Sequence, residues 1–217
     1  MKNTVSLDLM EFIERKILPR YAEFDKAHGM EHVTGVILRS IEIARKAGAN
    51  IDMAYTVAAY HDIGLSGPRA IHHITGGRII AADARLRRWF TPEQIVVMKE
   101  AVEDHRASAS HTPRNIYGKI VAEADRDLKP ESVFRRTVQF GLSNLPEGTS
   151  REAHWQRFAQ HLDNKYSTNG YIHLWVPGSP NEERLRELRR IMADKAELRK
   201  IFDRIYDEET GARKRMI

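Results

Sequence analysis

The chain has 217 residues, with 41% hydrophobic and 30% charged residues, a net charge of +5 and no cysteine. Such a composition supports at least one packed hydrophobic core, and it excludes disulfides and thiolate metal ligands. A bound metal would have to rest on His, Asp, Glu or water.

The first segment is amphipathic, with Leu7, Met10, Ile13 and Ile17 in one stripe running to Pro19. It lacks the unbroken apolar run of a signal peptide, and no stretch reaches the ~20 apolar residues that span a bilayer. The expectation is a soluble cytoplasmic protein that makes no membrane contact. Val33, Val36, Ile37, Ile41 and Ala44 form a second stripe, with Gly48 as its stop. A short third helix is expected from Asp52, its N-cap, to Asp62, ended by Gly64 and Gly67-Pro68. Ile71 to Arg88 reads as a fourth. Thr91-Pro92-Glu93 opens a fifth, with Thr as cap and Pro in the first turn.

After Pro113, residues Ile116, Ile120, Val121 and Ala124 share an inward face. Pro130 to Leu142 and Arg151 to Tyr166 read as two more helices, the second packing Trp155 and Tyr166 as an extra layer. Tyr171 to Trp175 is a short strand or an extended loop. Pro180 opens a long charged helix to about Tyr206. No alternating pattern of useful length occurs, so the fold class is all-α. The chain is expected to be a single domain over 1–217, with a core at 20–135 and a helical extension at 143–217. The tail Arg213-Lys214-Arg215 is basic, but Glu and Asp are interspersed along the helix before it. Nucleic-acid binding is therefore not the expectation, and an oligomer remains open.

Three places carry chemistry. His28 and His32 lie one turn apart on one helix face. His61-Asp62 follows the small, apolar run Met53 to Tyr60, so this pair sits at the inner end of a deep helix. A buried His and Asp need partners, either backbone groups or a metal ion. Asp125 follows another small, apolar run, Ile120 to Ala124.

The segments HGMEHVTGVILRSIEIA, AAYHDIG and IYGKIVAEADRD together resemble the HD superfamily of metal-dependent phosphohydrolases in order, spacing and local helix type. The resemblance covers roughly residues 20 to 135. It implies a helical bundle around a metal held by His32, His61, Asp62 and Asp125. Mixed nitrogen and oxygen donors suit Mn, Fe, Co, Ni or Zn, with Mg possible.

His72-His-Ile-Thr-Gly-Gly77 resembles the segment whose leading His binds a second metal in binuclear members, including the HD-GYP group. Two registers fit, His72 with Gly76 or His73 with Gly77. The two side chains are about 100° apart on a helix, so they cannot both face one ion. His105 resembles the next ligand of the binuclear members. Arg106 stands where those proteins often have a second His, so His111 substitutes or Arg106 binds substrate phosphate. His28 is a further second-site candidate, and Asp62 is the expected bridge between two ions. The GYP motif is absent, which argues against cyclic dinucleotide hydrolysis.

The resemblance implies hydrolysis of a small-molecule phosphate ester, a nucleotide first among them. Arg106, Arg114 and Lys119 are the phosphate-binding candidates. Asp62, Glu31 or Glu103 steers the water, with Asp62 taken as the catalytic candidate. Two other readings remain: a di-iron oxygenase on the same fold, and a nucleic-acid-binding or regulatory module with a vestigial metal site.

Overall fold

Apolar side chains at helical spacing produce ten α-helices and no strand among the described residues. The structure is a computed structural model that describes residues 4–25, 28–106 and 111–214. Arg215, the last of the basic tail, lies outside the described residues. No described helix is long and apolar enough to cross a membrane.

The chain packs as two compact units. The first comprises residues 1–126 and Trp175–Ser179. It contains α1 (Leu7–Lys16), α2 (Met30–Lys46), α3 (Ile51–Tyr60), α4 (His72–Ala82), α5 (Pro92–Glu103) and α6 (Ile116–Ala124). Helix α3 is its centre, touching α1, α2, α5 and α6. Every residue of α3 except Asp52 is buried, as expected of a helix apolar on all sides. Ala54, Ala58 and Ala59 keep its surface narrow enough for neighbours on several faces.

Helix α2 ends in a Schellman motif. Gly48 adopts φ 64°, which suits glycine, and the Ala49 amide donates to the Ala44 carbonyl at 2.9 Å. The cap of α3 is Asn50, whose side chain accepts from the Met53 amide at 3.2 Å. Asp52, the expected cap, instead accepts from the amide and hydroxyl of Ser6 and so ties the N-terminus to α3. The expected helix from Ile71 to Arg88 is interrupted at Asp83. That side chain accepts from the Arg85 amide and the Tyr60 hydroxyl, so the chain continues as a 3₁₀ turn at Ala84–Arg88. Helix α5 opens with a complete capping box between Thr91 and Gln94.

The second unit comprises Asp127–Leu174 and residues 180–217. It holds α7 (Pro130–Asn144), α8 (Arg151–Tyr166), α9 (Pro180–Ala193) and α10 (Lys195–Lys214). Its core is aromatic. Phe158 packs against Phe202 with ring centroids at 5.2 Å and against Trp155 at 5.8 Å. The long helix expected from Pro180 is two helices, because the Asp194 side chain accepts from the Ala196 and Glu197 amides and restarts the helix. Tyr171 to Trp175 forms neither helix nor strand.

Two separate hydrophobic clusters form, and the chain passes from one unit to the other after Arg126. Helix α1 shares the first cluster through Leu9 and Ile13, while α7 shares the second through Val133, Phe134 and Val138.

Candidate metal centre

Five elements of the first unit deliver ionisable side chains to one cleft. His32 stands in the first turn of α2, and His61 and Asp62 at the end of α3. His72 opens α4, His105 follows α5, and Asp125 caps α6. Backbone packing explains the convergence. The buried Tyr21 hydroxyl donates to the Ala59 carbonyl at 3.0 Å and accepts from the Asp62 amide at 3.3 Å, clasping the end of α3. A side chain at Gly64 would fall 2.0 Å from the His72 carbonyl oxygen, and one at Gly76 would lie 3.4 Å from the His61 carbonyl oxygen. These two glycines let the start of α4 lie directly against the segment that carries Asp62. The Arg39 guanidinium donates to the Ala124 carbonyl and fastens the end of α6 beside Asp125.

The two oxygens of Asp62 face different groups. Its Oδ2 lies 3.2 Å from His61 Nε2 and 3.5 Å from His32 Nε2. Its Oδ1 lies 3.3 Å from His72 Nε2 and 3.4 Å from His105 Nε2. Asp125 Oδ1 completes the first group, 3.2 Å from His32 and 3.8 Å from His61. Two potential metal-binding sets result, His32–His61–Asp62 and Asp62–His72–His105.

The tautomers suit ligation. Nδ1 of His61, His72 and His105 each donates to the carbonyl three residues earlier, at 2.7, 2.8 and 2.7 Å. In the neutral rings this leaves Nε2 as an acceptor pointing into the cleft. His72 and His105 then aim two lone pairs at each other across 3.2 Å. Two acceptors at that distance repel unless a cation lies between them. Donor atoms held about 2.1 Å from one ion are roughly 3.0–3.4 Å apart, close to the separations here. The residues present therefore fit a pair of divalent ions bridged by Asp62.

Without an ion, protons on the histidines take the place of the cation. Burial opposes ionisation of Asp62 and Asp125, but the surrounding histidines outweigh it. Asp62 is held far below the usual carboxylate range by His61, His105 and His32, and Asp125 is pulled down to about 2. Burial would lower the His32 pKa, yet hydrogen bonds to Asp125 and Asp62 raise it to about 9. The His61 pKa is also raised, chiefly by Asp62 acting against burial.

The other sequence candidates occupy distinct places. His73 lies on a different face of α4 from His72, outside both donor sets, with its Nδ1 buried and unpartnered. His111 is exposed, bonded to its neighbour's carbonyl and 3.8 Å from Asp104. His28 stands on the cleft wall, paired with Asp25 at 2.8 Å. Arg106 is also on that wall and donates to the Ala70 carbonyl. Arg114 is instead spent on structure. Its guanidinium grips the buried Asp104 and Glu103, both at 2.8 Å, so the expected phosphate contact gives way to an ion pair. Lys119 is half-buried on α6, outside the cleft lining. Glu31 is exposed, and Glu103 is taken by Lys99 and Arg114. The cleft measures about 340 Å³ and also includes Arg69, which opens the 3₁₀ turn Arg69–Ile71 and has no motif of its own.

Residues 29–128 match the HD domain family. No curated protein matches the chain. Among solved structures, a predicted HD superfamily hydrolase from an uncultured Thermotogales bacterium is similar, at 21% identity and a TM-score of 0.47, covering 72% of this chain and 86% of that one. That likeness is too slight to bear on chemistry. The matched span contains all six converging side chains, so both donor sets lie wholly within the part of the chain that matches the HD domain family.

Proposed function

We propose that this protein is a binuclear metal-dependent phosphohydrolase acting on a small phosphate ester, a nucleotide or similar metabolite. The observation that carries this reading is the split of the Asp62 carboxylate between two sets of imidazole nitrogens. Divalent transition-metal ions held there would bring the pKa of a coordinated water toward neutrality and offset charge on the phosphoryl group.

The chain's own groups supply the rest. With both oxygens facing histidine sets, Asp62 would serve as a ligand to both ions rather than as a free base. Asp125 is ionised and the more exposed of the two carboxylates, so it orients the attacking water by accepting a hydrogen bond. Arg106 offers a guanidinium on the cleft wall for a phosphoryl oxygen. The Nδ1-to-carbonyl bonds hold the three rings so that little reorganisation accompanies binding.

A panel of nucleotides and simple phosphate esters, assayed with Mn, Co or Ni, tests the reading. Metal-dependent phosphate release is expected. Release from no ester under any metal overturns it. Iron in the purified protein, together with oxygen uptake, would favour di-iron oxygen chemistry on the same donors.

A further inference from the structure

Beyond the two donor sets, two residues of the cleft wall, His28 and Arg69, join Asp25 in a connected trio. His28 Nδ1 donates to Asp25 Oδ1 at 2.8 Å. Arg69 donates through Nη1 to Asp25 Oδ2 and through Nη2 to His28 Nε2, both at 3.3 Å. The three bonds agree on one His28 tautomer, with Nδ1 as donor and Nε2 as acceptor.

We infer that Arg69 is a phosphate-binding residue that gives the site a preference for phosphate monoesters over diesters. The inference rests on the phosphohydrolase reading above and adds the substrate class. Arg69 is placed by the metal centre itself. Its carbonyl accepts from His72 Nδ1 at 2.8 Å, so the residue that orients one imidazole also extends its guanidinium into the same cleft.

The trio contributes little to folding, because the Arg69–Asp25 pair is largely exposed and such pairs are weak. Its effect is to restrict the Arg69 side chain before a ligand arrives, which lowers the entropy lost on binding. Two of the five guanidinium donors are engaged, and the others are open to an anion.

Charge and oxygen count select the ligand. The cleft lining holds two arginines, Arg69 and Arg106, against two carboxylates, Asp62 and Asp125, with Asp25 behind Arg69 as a third. Two divalent ions would make this balance strongly positive, which favours a dianion. A monoester presents three terminal oxygens and a diester two. Were two terminal oxygens to face the two ions, the monoester would still present a third to a guanidinium, and the diester would not.

The test compares wild type with Arg69→Met and Arg69→Lys, all loaded with Mn. Metal content, inorganic phosphate binding by calorimetry, and turnover of p-nitrophenyl phosphate and its bis-ester are measured. In Arg69→Met we expect both ions to stay and phosphate affinity to fall about tenfold or more. The monoester-to-diester ratio of kcat/KM should fall by a similar factor, mainly through KM. Arg69→Lys should recover part of each loss. Asp25→Ala, which frees the arm without removing it, should give a smaller loss, again in KM rather than kcat. Unchanged phosphate affinity in Arg69→Met, or loss of the ions with it, overturns the inference. If wild type hydrolyses neither ester, the phosphohydrolase reading falls separately, while phosphate affinity still reports on Arg69.

Discussion

The two units bury different chemistry. The first closes over His61, Asp62, Asp104, His105 and Glu123, and the second over Phe134, Phe158, Leu162 and Phe202 with few polar groups. Buried charge is costly unless paired, so each acid in the first unit has an explanation. Asp104 is gripped by Arg114. Glu123 accepts from the Trp175 and Val176 amides and the Ser179 hydroxyl. Asp62 is the exception, faced by four imidazoles. A cation is the natural partner for a carboxylate so placed. The contrast separates a core built for a centre from a core built for packing.

Asp62→Ala should break that contrast most severely. Both ions should be lost and turnover should fall to background, with ions counted by mass spectrometry. Retention of both would mean that Asp62 is no bridge. Phe158→Ala should act on the other side of the contrast. Removing a ring at 0% exposure is expected to cost about 3–5 kcal/mol in denaturant unfolding, while the folded protein keeps its metal content. Metal loss in the folded variant would join the two cores functionally.

His105→Ala sharpens the comparison within the first unit. One ion should leave and the His32–His61–Asp125 side should keep the other. A smaller effect concerns pH. Without ions the His32 pKa stands at about 9, above its ordinary value, because Asp125 and Asp62 hold its proton against burial. Stability from that proton is complete below about 6.5 and is lost as pH rises through about 9. Ion binding at neutral pH must displace the proton, so affinity should rise with pH over the same window. Calorimetry in buffers of different ionisation enthalpy checks this, and an absence of proton release would contradict it.

Much of this was legible in the sequence. The 3.6-residue periodicity marks most helices, and Thr91-Pro92 marks the start of α5 because a cap and a fixed φ act locally. His61-Asp62 and Asp125 stand out because each ends an apolar run. The choice of His72 over His73 was not legible. It depends on Gly64 and Gly76 bringing α4 against α3, a contact between elements. Tyr21 and Arg39 act through hydrogen bonds to carbonyls 38 and 85 residues away, and Arg69 reaches the cleft from a short 3₁₀ turn. The division after Arg126 was equally hidden, since helical stripes do not say which core they will join. Arg114 shows the opposite failure, an arginine near the motifs that belongs to a buried ion pair.

The most direct test of the centre is a manganese titration of the metal-free protein followed by electron paramagnetic resonance. The account predicts two ions per chain and the spectrum of an exchange-coupled pair, as a shared carboxylate requires. A single ion per chain with an isolated six-line signal would contradict it.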